Sequence, residues 1–372
     1  MNIKELIVHD QLRQNSRRTF IYNSVLGLGG MAMASMGLKA DNKSKMLNPS
    51  KPQVAPHHPP KIKSIIFVHL AGAPPQLDMF DYKPELAKVD GKPCPQEFLK
   101  GKQFAFIPKG SQPYMLGPQY DFKRHGKSGA WVSSVVPHIS SIVDDVCFIK
   151  SMQTSQFNHA PAQFLMYTGF ERLGRPSLGA WSVYGLGSEN ENLPGFVVLS
   201  SGQMPSAGKS VWGSGFLPTV YQGIQCRSKG EPVLFLENPK GISQSTRKRS
   251  LNMINKINQR EFEMAGDNET LTRIAQYEMA FKMQMSVPEV MDISKESKKT
   301  LEMYGAQPGS GSFANNCLLA RRLVEQGVRY VQLFDTGWDM HGTNKNTAKI
   351  FTQSSQRHQR PSSRETYHRE IR

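Results

Sequence analysis

The chain has 372 residues, of which 38% are apolar and 20% charged, with a formal net charge of +16. This is the composition of a globular protein rather than a disordered or fibrous one, and the length allows one large α/β domain or two ordinary ones. Half of the excess charge lies in residues 1–40 and 343–372. The remainder has no basic helix and no aromatic-basic alternation, which argues against a nucleic-acid partner.

The first forty residues read as a twin-arginine export signal. Lys4, Arg13, Arg17 and Arg18 make a basic start, and Ser16-Arg17-Arg18-Thr19-Phe20-Ile21 pairs two arginines with apolar residues just beyond. The apolar stretch from Ile21 to Leu38 is interrupted by Gly27, Gly29, Gly30 and Gly37. It is too mildly hydrophobic and slightly too short for a stable membrane span. Export through the twin-arginine translocation machinery, to the periplasm or cell surface, is therefore expected. Two cleavage sites stay open, after Leu38-Lys39-Ala40 or after Ala32-Met33-Ala34.

Residues 41–60 are polar and proline-rich and read as a linker. The domain then opens with the apolar run Lys63 to Leu70, which suits a strand buried on both faces. Similar runs recur at Val146–Lys150, Phe196–Leu199 and Val328–Phe334. Amphipathic helical patterns fill Ala160–Thr168, Ser250–Met264, Glu269–Met285 and Asn315–Glu325. Strands alternating with helices imply an α/β fold, a sandwich with a largely parallel sheet. Cys94, Cys147, Cys226 and Cys317 have no metal or redox spacing, and Cys147 and Cys317 read as core residues. Gly126-Lys127-Ser128 lacks the preceding glycine of a phosphate loop.

Ligands of open α/β sheets collect beyond the carboxyl ends of the strands. Asp78 follows the first strand. Thr154 and Ser155 precede the helix that begins near Asn158 and His159, and Asp339 and His341 follow the last strand. A carboxylate, a hydroxyl near a helix N-terminus and an Asp-x-His pair would together make a metal-assisted hydrolase site: the metal holds the nucleophile and polarises the ester, and the helix end favours an anion. Thr154 and Ser155 are the candidate nucleophiles, Asp78, Asp339 and His341 the candidate metal ligands, and Asn158 and His159 the candidate substrate-binding residues. Each also has an ordinary reading. Asp78 could cap a turn, either hydroxyl could cap the helix, and His159 could be a core histidine.

Several segments resemble the exported bacterial domain of unknown function 1501 family. They include Ser64-Ile65-Ile66-Phe67 through Pro84, Phe157-Asn158-His159-Ala160-Pro161-Ala162-Gln163, the run Asn316–Arg329, and Gly337-Trp338-Asp339-Met340-His341-Gly342. The resemblance implies the alkaline phosphatase and sulfatase superfamily, with a three-layer α/β/α sandwich and one or two divalent metals, zinc or another cation. By position, Asp78 resembles the first-strand metal ligand, Ser155 or Thr154 the nucleophile, and Asp339 with His341 part of a second ligand set. The implied activity is hydrolysis of phosphate or sulfate esters, with an anionic small molecule or polysaccharide ester as substrate. The Cys-x-Pro-x-Arg signature is absent, which argues against a formylglycine sulfatase. A non-enzymatic exported binding protein on the same fold is the alternative, and a polyanion binder rests on charge alone.

Members of that family continue past the Trp-Asp-x-His tag. Here apolar periodicity is lost from Thr343, and residues 343–372 read as an out-of-frame segment, with a disordered basic tail as the other possibility. On that reading residues 61–342 are a domain incomplete at its C-terminus, and turnover by this chain is expected to be absent.

Overall fold

The computed structural model describes residues 48–52, 58–59, 61–72, 74–102, 110–233 and 237–339. The expected export signal, most of the linker, the basic tail and His341 lie outside the described residues. Six strands run in chain order: β1 (Ile65–Ala71), β2 (Phe122–His125), β3 (Ala130–Ser133), β4 (Phe196–Ser201), β5 (Ile224–Cys226) and β6 (Tyr330–Thr336). The principal sheet has the order β1-β6-β4-β5 and all three of its pairings are parallel. β2 and β3 form a separate antiparallel hairpin.

The longer helices are α1 (His159–Thr168), α2 (Leu178–Leu186), α3 (Gln244–Ala265), α4 (Asn268–Met291), α5 (Lys298–Tyr304) and α6 (Phe313–Glu325). Serines set several of the starts: Ser177, Ser243, Ser297 and Ser312 each accept a hydrogen bond from the backbone N–H three residues on. Such caps satisfy a donor that the helix itself leaves unpaired. α1 ends at Gly169, whose left-handed backbone a side chain would strain. No helix among the described residues is long and apolar enough to cross a membrane.

β6 is central because both of its faces are apolar. Val331 and Leu333, with Val197 and Leu199 of β4, pack against Met283 and Val287 of α4 and Leu318, Leu319 and Leu323 of α6. Tyr330 and Phe334, with Phe196 and Val198, face Tyr167 of α1 and Ala180 and Val183 of α2. Complete burial of one such side chain contributes roughly 1.5–3 kcal/mol, so these two layers dominate the stability of the sheet.

An α/β fold with a parallel sheet agrees with the sequence pattern, and three of the four expected strands form. The fourth does not: Val146–Lys150 has no strand. Its Ile149 is 67% exposed and Cys147 is exposed rather than in the core. Phe148 packs instead on Phe80, with ring centroids 5.4 Å apart. None of its residues pairs with a strand, although β1 and β5 each keep one unpaired edge among the described residues. The β2–β3 turn places Lys127 N and Ser128 N on the Asp144 carboxylate, each at 2.9 Å, so these N–H groups hold a side chain and not a phosphate. All four cysteines are free.

One residue of β6 conflicts with its surroundings. Gln332 is fully buried, and both amide atoms lack a hydrogen-bond partner among the described residues. An unpaired buried polar group costs about 1–3 kcal/mol. Gln332→Leu, of similar volume, is therefore expected to raise stability by about 1–2 kcal/mol in thermal unfolding. A lower melting temperature would show that the amide is satisfied in the folded protein.

Candidate functional site

Three strands of the parallel sheet deliver their carboxyl ends to one place. Ala71 of β1 is in register with Thr336 of β6, and Ser201 of β4 with Asp335. Polar groups then tie the ends together. Ser201 Oγ donates to Asp335 Oδ1 at 2.8 Å and Trp338 Nε1 donates to Asp335 Oδ2 at 2.9 Å. Thr336 Oγ1 donates to the Ser201 carbonyl at 3.1 Å and accepts from Gln203 N at 2.8 Å. The backbone of Trp338 donates to the Ala71 carbonyl at 3.2 Å, which turns the chain after β6 toward β1.

Two glycines permit this approach. Gly72 has φ +111°, and a Cβ there would lie 2.0 Å from the backbone nitrogen of Asp339. Gly202 has φ +80°, and its Cβ would lie 2.1 Å from Thr336 Oγ1. Neither position accepts a side chain without moving the β6 end.

The turn brings Asp339 to the first residue of α1. Asp339 Oδ2 lies 3.1 Å from His159 Nε2, and the two side chains are 47% and 43% exposed. A pair this exposed adds little stability, so its main effect is to orient the imidazole. His159 is therefore not a core histidine. Asp339, expected as a metal ligand, and His159, expected to bind substrate, are brought together.

The two candidate nucleophiles differ. Thr154 Oγ1 accepts from Gln156 N at 3.0 Å, a local turn contact. Ser155 Oγ donates to Glu171 Oε1 at 3.0 Å, so a hydroxyl and a carboxylate meet across α1. Neither caps the helix. Asn158 holds the N-cap position, yet its side chain makes no capping bond and is exposed.

Asp78 sits in a single helical turn, Gln76–Met79, and its carboxylate makes no hydrogen bond or ion pair with the described residues. Among the described residues, no three His, Cys, Asp or Glu side chains gather into a group able to hold a metal ion. The expected ligand set of Asp78, Asp339 and His341 is thus described only for its two carboxylates.

α6 brings Cys317 near Asp335 of β6. The Cys317 thiol is pushed up to about 12, chiefly by burial and secondarily by the nearby Asp335 carboxylate. A thiol so disposed stays protonated and is not a nucleophile at neutral pH. Glu171, Arg172 and Arg175 escaped the sequence reading. The available signal was Glu-Arg-Leu-Gly-Arg two residues after the helix-ending Gly169, three charges close together in a loop.

A family model described as a protein of unknown function, DUF1501, matches residues 62–356. The chain belongs to the DUF1501 family. The DUF1501 match takes in every strand from β1 to β6 and both members of the His159–Asp339 pair, and it continues beyond residue 342, where the apolar pattern changes. No curated protein and no solved structure matches the chain.

The close approach at Gly72 supplies the test of this geometry. Gly72→Ala is expected to destabilise the protein by about 2–3 kcal/mol, since the added carbon meets backbone and the residue has positive φ. Equal unfolding midpoints for Gly72→Ala and the wild type would mean that the β6 end does not lie against β1.

Proposed function

We propose that this DUF1501 protein is a hydrolase of phosphate or sulfate esters, with Ser155 as nucleophile. The observation that supports the reading most directly is the 3.0 Å hydrogen bond from Ser155 Oγ, four residues before α1, to Glu171 Oε1, three residues beyond it. A hydroxyl becomes an effective nucleophile when a base within hydrogen-bond reach receives its proton. Ser155 Oγ would attack the phosphorus or sulfur of the ester and pass its proton to Glu171. The ester oxygen would leave with a proton from His159, which Asp339 orients. Water would then cleave the covalent serine ester and return the protons, releasing inorganic phosphate or sulfate.

Asp339 offers a carboxylate oxygen of the kind a divalent cation accepts, with Asp78 and His341 as the other ligands the sequence implies. Zinc or another such ion would, when bound there, polarise the ester. Helices packed on both faces of the parallel sheet support an alkaline phosphatase-like α/β/α sandwich. The same reading includes export through the twin-arginine machinery, supported by Arg17-Arg18 and the mild apolar stretch after them. Ser155, His159, Glu171 and Asp339 all precede residue 343, so the assignment does not depend on the basic tail.

The test is turnover of chromogenic phosphate and sulfate monoesters by the full chain, with and without added divalent cation. Ser155→Ala is expected to lower kcat by about 10³-fold or more, Glu171→Gln by about 10²-fold or more, and Thr154→Ala hardly at all. Turnover that survives Ser155→Ala would remove the assignment. A wild-type chain with no turnover on any ester would leave the incomplete domain expected from the sequence, or the non-enzymatic binding protein, in place of an active hydrolase.

A further inference from the structure

A separate cleft opens at the far end of α1. The loop after the helix, residues 169–176, is clamped against the segment 208–217. Ser177 N donates to the Gly213 carbonyl at 3.1 Å. Gly215 has φ +56° and packs so closely that a Cβ would lie 2.3 Å from the carbonyl carbon of Arg175 and the nitrogen of Pro176. This contact admits no side chain, and it holds the two loops at a set separation. Between them is a cavity of about 180 Å³ whose walls include Phe164, Leu173, Arg172, Arg175 and Ser210.

Two features make the cavity more than a gap. Neither Arg172 nor Arg175 forms an ion pair or hydrogen bond with the described residues, and both line the cavity. Their acidic neighbour Glu171 accepts from Ser155. Arg175 is also held in place, its guanidinium 4.1 Å above the Phe170 ring, which reduces the freedom lost on binding.

We propose that this cleft binds a phosphate or sulfate group. Guanidinium forks match tetrahedral oxyanions with paired, charge-assisted hydrogen bonds, and two unpaired forks at one cavity suit a doubly charged group. The Ser210 hydroxyl adds a donor or acceptor at the wall. Cavities for drug-sized ligands are larger, about 300–1,000 Å³, so this one takes a small charged group and at most a short part of its carrier. Phe164 and Leu173 provide apolar surface for that carrier. Such an anchor is independent of hydrolysis: it would hold an anionic ligand whether or not Ser155 turns it over.

Equilibrium binding tests the cleft without reference to activity. Calorimetric titrations of the full chain would use inorganic phosphate, inorganic sulfate and a hexose phosphate. Saturable binding of at least one probe is expected, and Arg172→Ala and Arg175→Ala should each weaken it about tenfold or more. Tighter binding of the hexose phosphate than of free phosphate would identify an ester as the ligand, and equal binding would identify the free ion. The double variant Arg172→Lys with Arg175→Lys keeps the charge and loses the forks, so it should melt like the wild type and bind less tightly. Wild-type affinity in the double alanine variant, or no binding of any probe by the wild type, would overturn the proposal.

Discussion

The site depends on one strand being held from every side. β6 is hydrogen-bonded along its length to β1 on one edge and β4 on the other, and it buries apolar side chains on both faces. A strand constrained in this way has no freedom to slip, because a shift of one residue would turn its whole apolar set to the wrong faces. Its last residues therefore emerge at a set place and direction. The glycines that follow β1 and β4 let them approach within contact of their neighbours, and Asp339 arrives at the start of α1 as a consequence.

α1 carries both polar contacts of the site. His159 at its first position meets Asp339, while Ser155 just before it reaches Glu171 just after its end. Neither contact does much for stability, since both are exposed to water and to salt. What they supply is orientation. The buried core beneath carries the energy: Tyr167 packs against Phe67 and Phe334 with ring centroids 5.3 and 5.6 Å apart, fixing α1 on the sheet. Rigid support with exposed chemistry above it is how loops and helix ends commonly carry function.

Much of this was legible in the residues. The runs at Lys63–Leu70, Phe196–Leu199 and Val328–Phe334 all form strands, but only the central β4 and β6 are covered on both sides: β1 is an edge strand whose Ile66 and Val68 are 41% and 48% exposed, so its first run is not the doubly buried strand its apolar pattern suggested. Val146–Lys150 has the same local pattern and fails, because a local pattern carries no information on whether the tertiary fold brings the run to a sheet edge. The β2–β3 hairpin and β5 were missed for the opposite reason. Four residues such as Phe122-Lys123-Arg124-His125, or three such as Ile224-Gln225-Cys226, are too short to show a period. In the site, Asp339 and His159 were each legible as chemistry-bearing residues near strand or helix ends. Their contact was not, since they are 180 residues apart and meet only through the turn at Gly337–Trp338. Glu171 was overlooked because a charged residue in a loop is ordinary until a hydroxyl is found against it.

The central claim is that Ser155, with Glu171 beside it, is a reactive hydroxyl. The most direct measurement is covalent labelling of the full chain with a phosphonofluoridate, followed by peptide mapping by mass spectrometry. The account predicts a single label on Ser155, much slower to form in Glu171→Gln. Labelling that spares Ser155, or that proceeds equally fast without the Glu171 carboxylate, would contradict it.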